Sequence, residues 1–592
     1  MFAAAVAVLS ACSPGSNGPA VTPAVTRSDE DVMVEKLIAD WIDVRMQLSP
    51  ISATAIGDHR FDGDVDDVSA EGRQRRVELD ERTLKLLASI DHHKLSRDNQ
   101  VDTGMLELEL RYRIWTVRVH ETWAWNPIVY NDLAGDAIYN LLAREFAPLA
   151  ERLKSATVRM EKIPALLAQA RANIVPARVP PIHAETVAKQ NPGIMSLVDE
   201  LVVPQSGLLT GADRARLDAA VAGLRSAVAE HQTWIDKILV PGAKGDPRIG
   251  KKLYDEKLAF ALASTLTRDD IRRRAEAALK LTREQMYKVS SAVLKGKPGA
   301  PPLPASPSDT EQQAAIEAAL ALAYAERPAR DKVVEASTKA LEEATAFART
   351  KGLFTIPDDP VKVILMPEFQ RGTAVAYCDS PGPLDKGLAT YFAISPIPDD
   401  WSSEQVDSFL REYNGRMIHL LSIHEGVPGH YLEGATTARH ASLIRGILRS
   451  GTFAEGWAVY TERVMAEAGY LGGDPLFRLV QLKFYLRTIA NALLDQGVHV
   501  DGWDRERAMD LMVRQTFQQE REANGKWIRA QLSSAQLPTY FVGVQEMFDL
   551  RDAVLRRDGK AFDERAFHDR VLAAGAPSVR YLRQLVLDLP ID

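Results

Sequence analysis

Two histidines and two glutamates in the second half of this 592-residue chain have residue types and spacings that could hold and use a metal ion. Glu425 directly follows His424, His430 comes shortly afterwards, and Glu455 lies on the next predicted helix. Histidine and carboxylate side chains are common ligands of catalytic zinc, which keeps one coordination position open. A glutamate beside the first ligand can take a proton from water. The pattern predicts a zinc-dependent hydrolase in which His424, His430 and Glu455 bind Zn²⁺ and Glu425 is the general base.

The spacing of the two histidines is unusual for a helical zinc site. In the simplest motif the second histidine comes four residues after the first, so that both rings share one face of the helix. Pro428 occupies that position here, and His430 lies about 240° around a regular helix from His424. Proline removes a helical hydrogen bond and glycine permits unusual dihedral angles, so Pro428 and Gly429 can turn His430 back. Without such a kink, the residues predict a helix end with two surface histidines.

Polar residues further along the chain could support catalysis. Arg487, Asn491, Asp495 and His499 recur every four residues and form one polar stripe on a predicted helix. The stripe is either an internal ion-pair network or part of a cleft wall. In the second case His499 would stabilise an oxyanion, and Arg487 or Asp495 would orient neighbouring groups. Tyr540 is the other oxyanion candidate, with an ordinary buried tyrosine as the alternative.

Other titratable residues near the motif receive simpler interpretations. Glu462 lies two turns after Glu455 on roughly the same face, and we expect it to orient a ligand histidine through that histidine's other nitrogen. We expect His419 to pack or to support a ligand. His440 and His568 are expected to lie at the surface.

Composition is typical of a globular protein, with 46% hydrophobic and 26% charged residues. The net charge of −8 disfavours a general nucleic-acid-binding surface. Two cysteines do not make a disulfide framework, and Cys378 is expected to be a partly buried thiol. Apart from the N-terminal apolar run, no segment approaches the roughly 18 apolar residues of a transmembrane helix.

The first residues indicate an envelope lipoprotein. Cys12 closes a Leu-Ser-Ala-Cys sequence after an apolar run, which resembles a bacterial lipoprotein signal over residues 1–12. Lipidation of Cys12 would attach the chain to a membrane on the periplasmic side, and Ser13 favours the outer membrane. A disordered cytosolic N-terminus is the alternative.

The rest of the chain predicts a mostly all-α fold with two subdomains. Residues 13–28 form a flexible tether, and a proline-rich linker at 296–310 separates helical subdomains at 29–295 and 311–592. Short β-branched or aromatic segments at 361–366 and 389–394 predict a small sheet near residues 361–395. Apolar residues at three- and four-residue spacing predict helices over residues 31–48, 71–90, 99–122, 139–174, 212–238, 268–293, 311–350 and 403–427.

Paired motifs give the chain a resemblance to a known family. His-Glu-x-x-Pro-Gly-His at 424–430, together with Glu-Gly-Trp-x-x-Tyr-x-Glu at 455–462, resembles the bacterial family called domain of unknown function 885. Further matches at 50–60, 495–503 and 536–543 extend the resemblance over roughly residues 30–590. Members are commonly predicted to be zinc peptidases and are often lipoproteins or secreted proteins.

The resemblance implies a gluzincin-type site, in which a glutamate from a following helix completes the zinc ligands. It also implies an architecture similar to thimet oligopeptidase and carboxypeptidase Taq, with two large helical halves around a deep cleft. Short peptides are the implied substrates, bound along an edge strand at 389–394. Arg371 and Lys386 could bind a substrate carboxylate. The chain departs from the family pattern at Tyr431, Glu433 and residues 533–535. These departures bear on how a substrate is recognised, whereas the implied metal ligands match the family motif.

Other functions stay open at this point. One is a metal-dependent amidase that acts on non-peptide amides, and another is a lipid-anchored binding or scaffold protein with a structural or degenerate metal site. Glu425 separates these classes, because a structural metal site has no use for an unligated carboxylate beside an open coordination position. Serine catalysis is disfavoured because the chain has no Gly-x-Ser-x-Gly elbow. Endopeptidase and exopeptidase cleavage are both compatible with the sequence.

Overall fold

A computed structural model describes residues 27–366 and 375–591, and most of these residues are helical. The N-terminal helices are α1 Asp29–Leu48, α2 Pro50–Ala55, α3 Ala70–Leu87, α4 Arg97–Trp115, α5 Thr122–Trp125, α6 Ile128–Leu142, α7 Leu149–Asn173, α8 Pro181–Gln190, α9 Gly193–Leu197, α10 Gly211–Trp234, α11 Val240–Gly242, α12 Gly250–Leu262 and α13 Arg268–Leu294. The later helices are α14 Asp309–Tyr324, α15 Val333–Lys351, α16 Ser403–Glu412, α17 Gly415–Leu421, α18 His430–Thr437, α19 Leu443–Ile447, α20 Gly451–Glu467, α21 Pro475–His499, α22 Arg505–Met509, α23 Glu520–Leu532, α24 Pro538–Asp558, α25 Glu564–Ala573 and α26 Val579–Val586.

The predicted fold class is confirmed, and two of the predicted helices are interrupted at a proline. The segment 139–174 divides into α6 and α7, and Pro148 is the N-cap of α7. The segment 311–350 likewise divides into α14 and α15 around Pro328. Proline cannot continue the hydrogen-bonding pattern of a preceding helical turn. No helix within the described ranges is both long and apolar enough to cross a bilayer.

A three-stranded sheet lies beside the helices in the order β1-β3-β2, formed by Val361–Leu365, Thr390–Ile394 and Ala376–Asp379 respectively. The strand β3 pairs in parallel with β1 and antiparallel with β2. The prediction that residues 389–394 form an edge strand is therefore wrong. This strand is central because it pairs with β1 on one side and β2 on the other, and its residues are mostly buried, whereas β2 lies at an edge.

The predicted boundary at 296–310 falls inside one hydrophobic core. Tyr254 of α12, Met286 of α13 and Ile316 of α14 belong to the same buried cluster as Leu486 of α21 and Phe541 of α24. A linker between subdomains would separate two cores, but this segment connects two helices of one core. The division into subdomains at 29–295 and 311–592 stays a prediction, and the segment 296–310 connects α13 to α14 within this shared core. Residues 1–12 and most of the tether lie outside the described residues.

Arg445 of α19 fixes the C-terminal part of the chain to the N-terminal helix α4. Its side chain is fully buried. Its Nε donates to Asp102 Oδ1 at 2.6 Å, and one terminal nitrogen donates to Asp98 Oδ1 at 2.9 Å. The other terminal nitrogen donates to the Ala574 carbonyl at 2.8 Å. These bonds satisfy the guanidinium and connect three distant parts of the chain.

Arg445→Met is expected to lower the free energy of unfolding by about 3–5 kcal/mol, because it leaves the buried Asp102 carboxylate without its cation. Denaturant titration followed by circular dichroism measures this change. Arg214→Met is the control, since Arg214 forms an exposed pair with Asp218 within one helix and should change stability by no more than about 0.5 kcal/mol. Equal losses in both variants would contradict the assigned role of Arg445.

Candidate metal centre and its cavity

The two histidines lie on either side of a sharp break in the chain. After α17, a turn of π-helix at Ser422–Gly426 carries His424, and α18 begins at His430. Gly429 forms the corner, where its N–H donates to the Ile423 carbonyl at 2.9 Å. A Cβ atom at Gly429 would lie 2.0 Å from the His424 carbonyl oxygen, so a larger residue does not fit here. The kink predicted from the Pro-Gly pair is present.

A neighbouring helix holds this corner in place. Trp457 of α20 is fully buried, and its indole N–H donates to the Pro428 carbonyl at 2.9 Å. Because Glu455 is on the same helix, this bond also fixes the distance between the kink and that carboxylate. The motif at 424–430 and the motif at 455–462 are therefore two sides of one site.

The side chains of His424, His430 and Glu455 converge, and their candidate ligand atoms all lie within 4.8 Å of one another. Glu455 Oε2 is 3.4 Å from His430 Nε2 and 3.7 Å from His424 Nε2. The two imidazole rings are nearly perpendicular, with centroids 4.8 Å apart. Burial acts to raise the pKa of Glu455, but the two imidazole rings outweigh it and hold that pKa below its usual value.

The two distances from Glu455 Oε2 to the imidazole nitrogens fit a tetrahedral metal ion. Bonds of about 2.0–2.1 Å from Zn²⁺ to nitrogen and oxygen place neighbouring ligand atoms about 3.4 Å apart. Glu455 Oε2 is buried and makes no hydrogen bond among the described residues, and a carboxylate oxygen that lacks hydrogen bonds is costly to bury. A metal ion between the three side chains would satisfy it. The residues present therefore fit zinc.

Glu462 has the position expected of a group that orients His424. Its Oε1 accepts a hydrogen bond from His424 Nδ1 at 2.7 Å, which leaves His424 Nε2 directed at Glu455. Glu462 is fully buried, and burial raises the pKa of its carboxyl group to about 6. A carboxylate behind a ligand histidine fixes its tautomer and increases its basicity.

Glu462→Gln is expected to weaken zinc affinity by about 10–100-fold, because the amide supports His424 less strongly than the carboxylate does. Competition with a fluorescent zinc chelator measures the dissociation constant. Glu467→Gln, on the same helix but half-exposed and paired with Arg463, is the matched control. An unchanged dissociation constant in Glu462→Gln would refute the orienting role.

The three converging residues line a cavity of about 1150 Å³, and Glu425 lines it with them. Glu425 is 8% exposed and is not among the three converging side chains. Residues of the edge strand β2 line the same cavity, including Cys378. Burial and the charge of Glu425 raise the pKa of the Cys378 thiol to about 12, so this partly buried cysteine stays protonated.

The polar stripe on α21 is divided between the cavity and the protein interior. Arg487 and Asn491 line the cavity, and Arg487 forms an ion pair of 2.5 Å with Glu522 of α23. Tyr540 also lines the cavity, where burial and the charge of Glu455 raise the pKa of its phenol to about 12. Tyr540 is therefore a neutral hydrogen-bond donor beside the candidate metal centre.

The predicted catalytic role of His499 is not supported by its position. His499 is buried away from the cavity, and its Nε2 faces the carbonyl oxygens of Ala530 and Ser533 at 2.9 and 2.8 Å. Asp495 accepts hydrogen bonds from the Tyr254 hydroxyl at 2.7 Å and from the Ala535 N–H at 2.8 Å. Both residues join α21 to its neighbours, so neither can contact a substrate in the cavity.

The other predicted residues that the structure describes lie away from the cavity. His568 is fully buried and contacts the Tyr460 hydroxyl at 2.7 Å, so the prediction of a surface position is wrong. His419 packs against Tyr470 as expected, with 2.9 Å between its Nδ1 and the hydroxyl. Lys386 is exposed and donates to backbone carbonyls. His440 is half-buried near Arg445. Arg371 and Cys12 are outside the described residues, so their predicted roles stay predictions.

Lys526 and Arg529 of α23 line the cavity but were missed by the sequence analysis. Cations on a helix rich in charged residues are ordinarily a solvated face, so local sequence gave no reason to select them. The strand β2 was missed because its Ala-Tyr-Cys-Asp sequence is short and has no β-branched residue.

A mostly α-helical fold with a His-His-Glu cluster on the wall of a cavity defines the class of this protein. The chain belongs to the family described as "Bacterial protein of unknown function (DUF885)", whose model matches residues 50–586. It is similar to the solved structure of a proposed lipoprotein of unknown function from Shewanella oneidensis, with 32% identity, a TM-score of 0.78, and coverage of 94% of this chain and 99% of that one. A proposed lipoprotein from Colwellia psychrerythraea, 18% identical, shares the fold with a TM-score of 0.74 over 94% of this chain and 99% of that one. A search of curated proteins found no match.

Proposed function

We propose that this protein is a zinc-dependent peptidase that acts on short peptides in the bacterial envelope. The observation that carries the proposal is the convergence of His424, His430 and Glu455 on the wall of a cavity that Glu425 also lines. Three ligands with an adjacent, unligated carboxylate are the arrangement of a catalytic zinc site. A purely structural zinc site uses four protein ligands.

The residues divide the chemical work of peptide hydrolysis between them. Zinc held by the three ligands would supply Lewis acidity, which polarises the scissile carbonyl and makes water more acidic. Glu425 accepts the proton of the attacking water and delivers it to the leaving amine. The neutral Tyr540 hydroxyl donates a hydrogen bond to the carbonyl oxygen as negative charge develops there.

The cavity and the sheet favour short, extended peptides. A cavity of about 1150 Å³ accommodates a short peptide, whereas a folded protein could present only an extended segment or terminus to it. Within the described residues β2 pairs on one side only, and residues of this strand line the cavity. An extended peptide can add to such an edge through main-chain hydrogen bonds. The strand that serves this purpose is β2 and not β3.

The envelope location rests on the N-terminal sequence and on the relatives. Both similar structures are named as proposed lipoproteins. The Leu-Ser-Ala-Cys sequence ending at Cys12 supports the same attachment for this chain, through a lipid on Cys12.

Elemental analysis of the purified protein, alongside His430→Ala, tests the metal assignment first. We expect about one zinc per chain in the unaltered protein and its loss in the variant, because removing one of three ligands leaves too few bonds. Zinc-dependent cleavage of a pool of short peptides, followed by mass spectrometry, tests the activity. Zinc that is bound without peptide cleavage would favour an amidase or a binding protein, and no transition metal after zinc supplementation would overturn the proposal.

A further inference from the structure

A buried lysine without a partner lies on the wall of the cavity. Lys526 of α23 is 5% exposed, lines the cavity, and has no hydrogen-bond or ion-pair partner among residues 27–366 and 375–591. Burial, reinforced by Arg487 and Arg529, lowers the pKa of Lys526 well below its usual value, while Glu522 and Glu455 act in the opposite direction. A buried ammonium group without a counter-ion is energetically costly. No described residue therefore supplies the acceptor or counter-ion that the Lys526 amino group would need when charged.

The neighbouring acid does not neutralise this wall. Glu522 is paired with Arg487 at 2.5 Å, and its other oxygen accepts a hydrogen bond from the Tyr413 hydroxyl at 2.9 Å. Arg529 donates to two uncharged oxygens, Gln536 Oε1 at 2.9 Å and the Tyr540 hydroxyl at 3.4 Å. Lys526 and Arg529 are thus two basic side chains without a carboxylate partner in the described chain.

The part of the cavity wall formed by Lys526 and Arg529 adjoins the candidate metal centre. Arg529 contacts Tyr540, and the charge of Glu455 acts on both Tyr540 and Lys526. Asn491 lines the same cavity and is 4% exposed, and its side-chain oxygen has no partner among the described residues. A buried amide of this kind can hydrogen bond to a peptide backbone.

We propose that Lys526 and Arg529 bind the C-terminal carboxylate of the peptide substrate, so that the protein removes short fragments from peptide C-termini. The proposal rests on the proposed peptidase function and specifies its substrate class. A carboxylate satisfies the lysine and can accept two parallel hydrogen bonds from the arginine. Asn491 would bind the backbone between this carboxylate and the scissile bond.

Paired substrates test the proposal without altering the protein. One pool contains N-acetylated pentapeptides with a free C-terminal carboxylate, and the second contains the same sequences as C-terminal amides. We expect the zinc-loaded protein to cleave the acids near their C-termini at a kcat/KM about 30-fold or more above that of the amides, since an unpaired buried charge is left without its partner in the amide complex. Equal cleavage of both pools, or cleavage at internal bonds only, would overturn the proposal.

Lys526→Met adds a test at the residue itself. The variant keeps an unbranched side chain one atom shorter than lysine and removes the amino group. It should lower kcat/KM for the acids, mainly through a higher KM, while the amides are little affected. Lys386→Met is the matched control, because Lys386 is exposed and lies away from the cavity. An unchanged preference for acids over amides in Lys526→Met would exclude this lysine from the subsite.

Equilibrium dialysis of the same pools separates this proposal from the proposed function. If neither pool is cleaved, peptide hydrolysis is refuted, but retention of the acids about 30-fold more strongly than the amides would still support the carboxylate subsite. Equal retention of acids and amides, or retention of neither, would refute the subsite. The dialysis uses the unaltered protein, so its result does not depend on whether Lys526→Met folds.

Discussion

Glu425→Gln is expected to lower kcat for peptide cleavage by about 10²–10⁴-fold while the protein keeps its zinc. Glutamine has nearly the same shape as glutamate but cannot accept the proton of the attacking water. Glu425 lines the cavity and is not one of the three converging side chains, so its loss leaves the metal ligands in place. Single-substrate kinetics on a cleaved peptide and elemental analysis of the same sample measure both quantities.

The control for this variant is Glu335→Gln, which changes a mostly exposed carboxylate on α15. It should leave kcat and zinc content unchanged. Turnover that persists at full rate in Glu425→Gln would mean that Glu425 is not the general base. Loss of zinc together with turnover would instead make Glu425 a support of the ligands.

Gly429→Ala is expected to prevent formation of the metal centre. The added Cβ would lie 2.0 Å from the His424 carbonyl oxygen and 2.4 Å from that of Ile423, so the chain must open at this corner. His430 then moves away from His424 and Glu455. Removing a residue that supports a ligand typically lowers metal affinity by about 10–100-fold, and we expect a larger loss of zinc affinity here. Stability should also fall by about 1–3 kcal/mol, as for other overpacked sites.

Gly223→Ala is the matched substitution, because a Cβ atom there meets no other atom within 4 Å. It lies in the interior of α10, where alanine stabilises a helix by about 0.5–1 kcal/mol relative to glycine. Calorimetric titration of zinc into both variants gives affinity and stoichiometry. Normal zinc binding by Gly429→Ala would show that the corner does not position His430.

The convergence of His424, His430 and Glu455 could be predicted from the sequence because residue type and local spacing carry that information. Pro428 and Gly429 indicate a kink, and the kink decides whether His430 can meet His424. Sequence periodicity was less informative on α21, since it identifies a face of the helix and not the part that reaches the cavity. His499 lies about 12 Å further along the axis than Asn491, at 1.5 Å per residue. The stripe therefore leaves the cavity before it reaches His499.

Long-range packing explains the other differences. The order of three short strands depends on tertiary contacts, and nothing in residues 389–394 indicates that they form the central strand. The segment 296–310 has the composition of a linker, although the helices on both sides of it share a core. Lys526 lies on α23, which packs against α16 and α21, and the sequence of α23 does not encode these contacts.

The core shared by α12–α14 and α21–α24 has a consequence for how the chain folds. As the chain emerges from its N-terminus, the apolar residues Tyr254, Met286 and Ile316 lack their partners on α21 and α24 until residues 479–542 have also emerged. Contacts between such distant segments form slowly, and exposed apolar helices aggregate in the meantime. A chain that stops after α20 would keep residues 424–462 but leave these apolar residues uncovered. Premature termination there would therefore yield aggregates and not a shortened soluble protein.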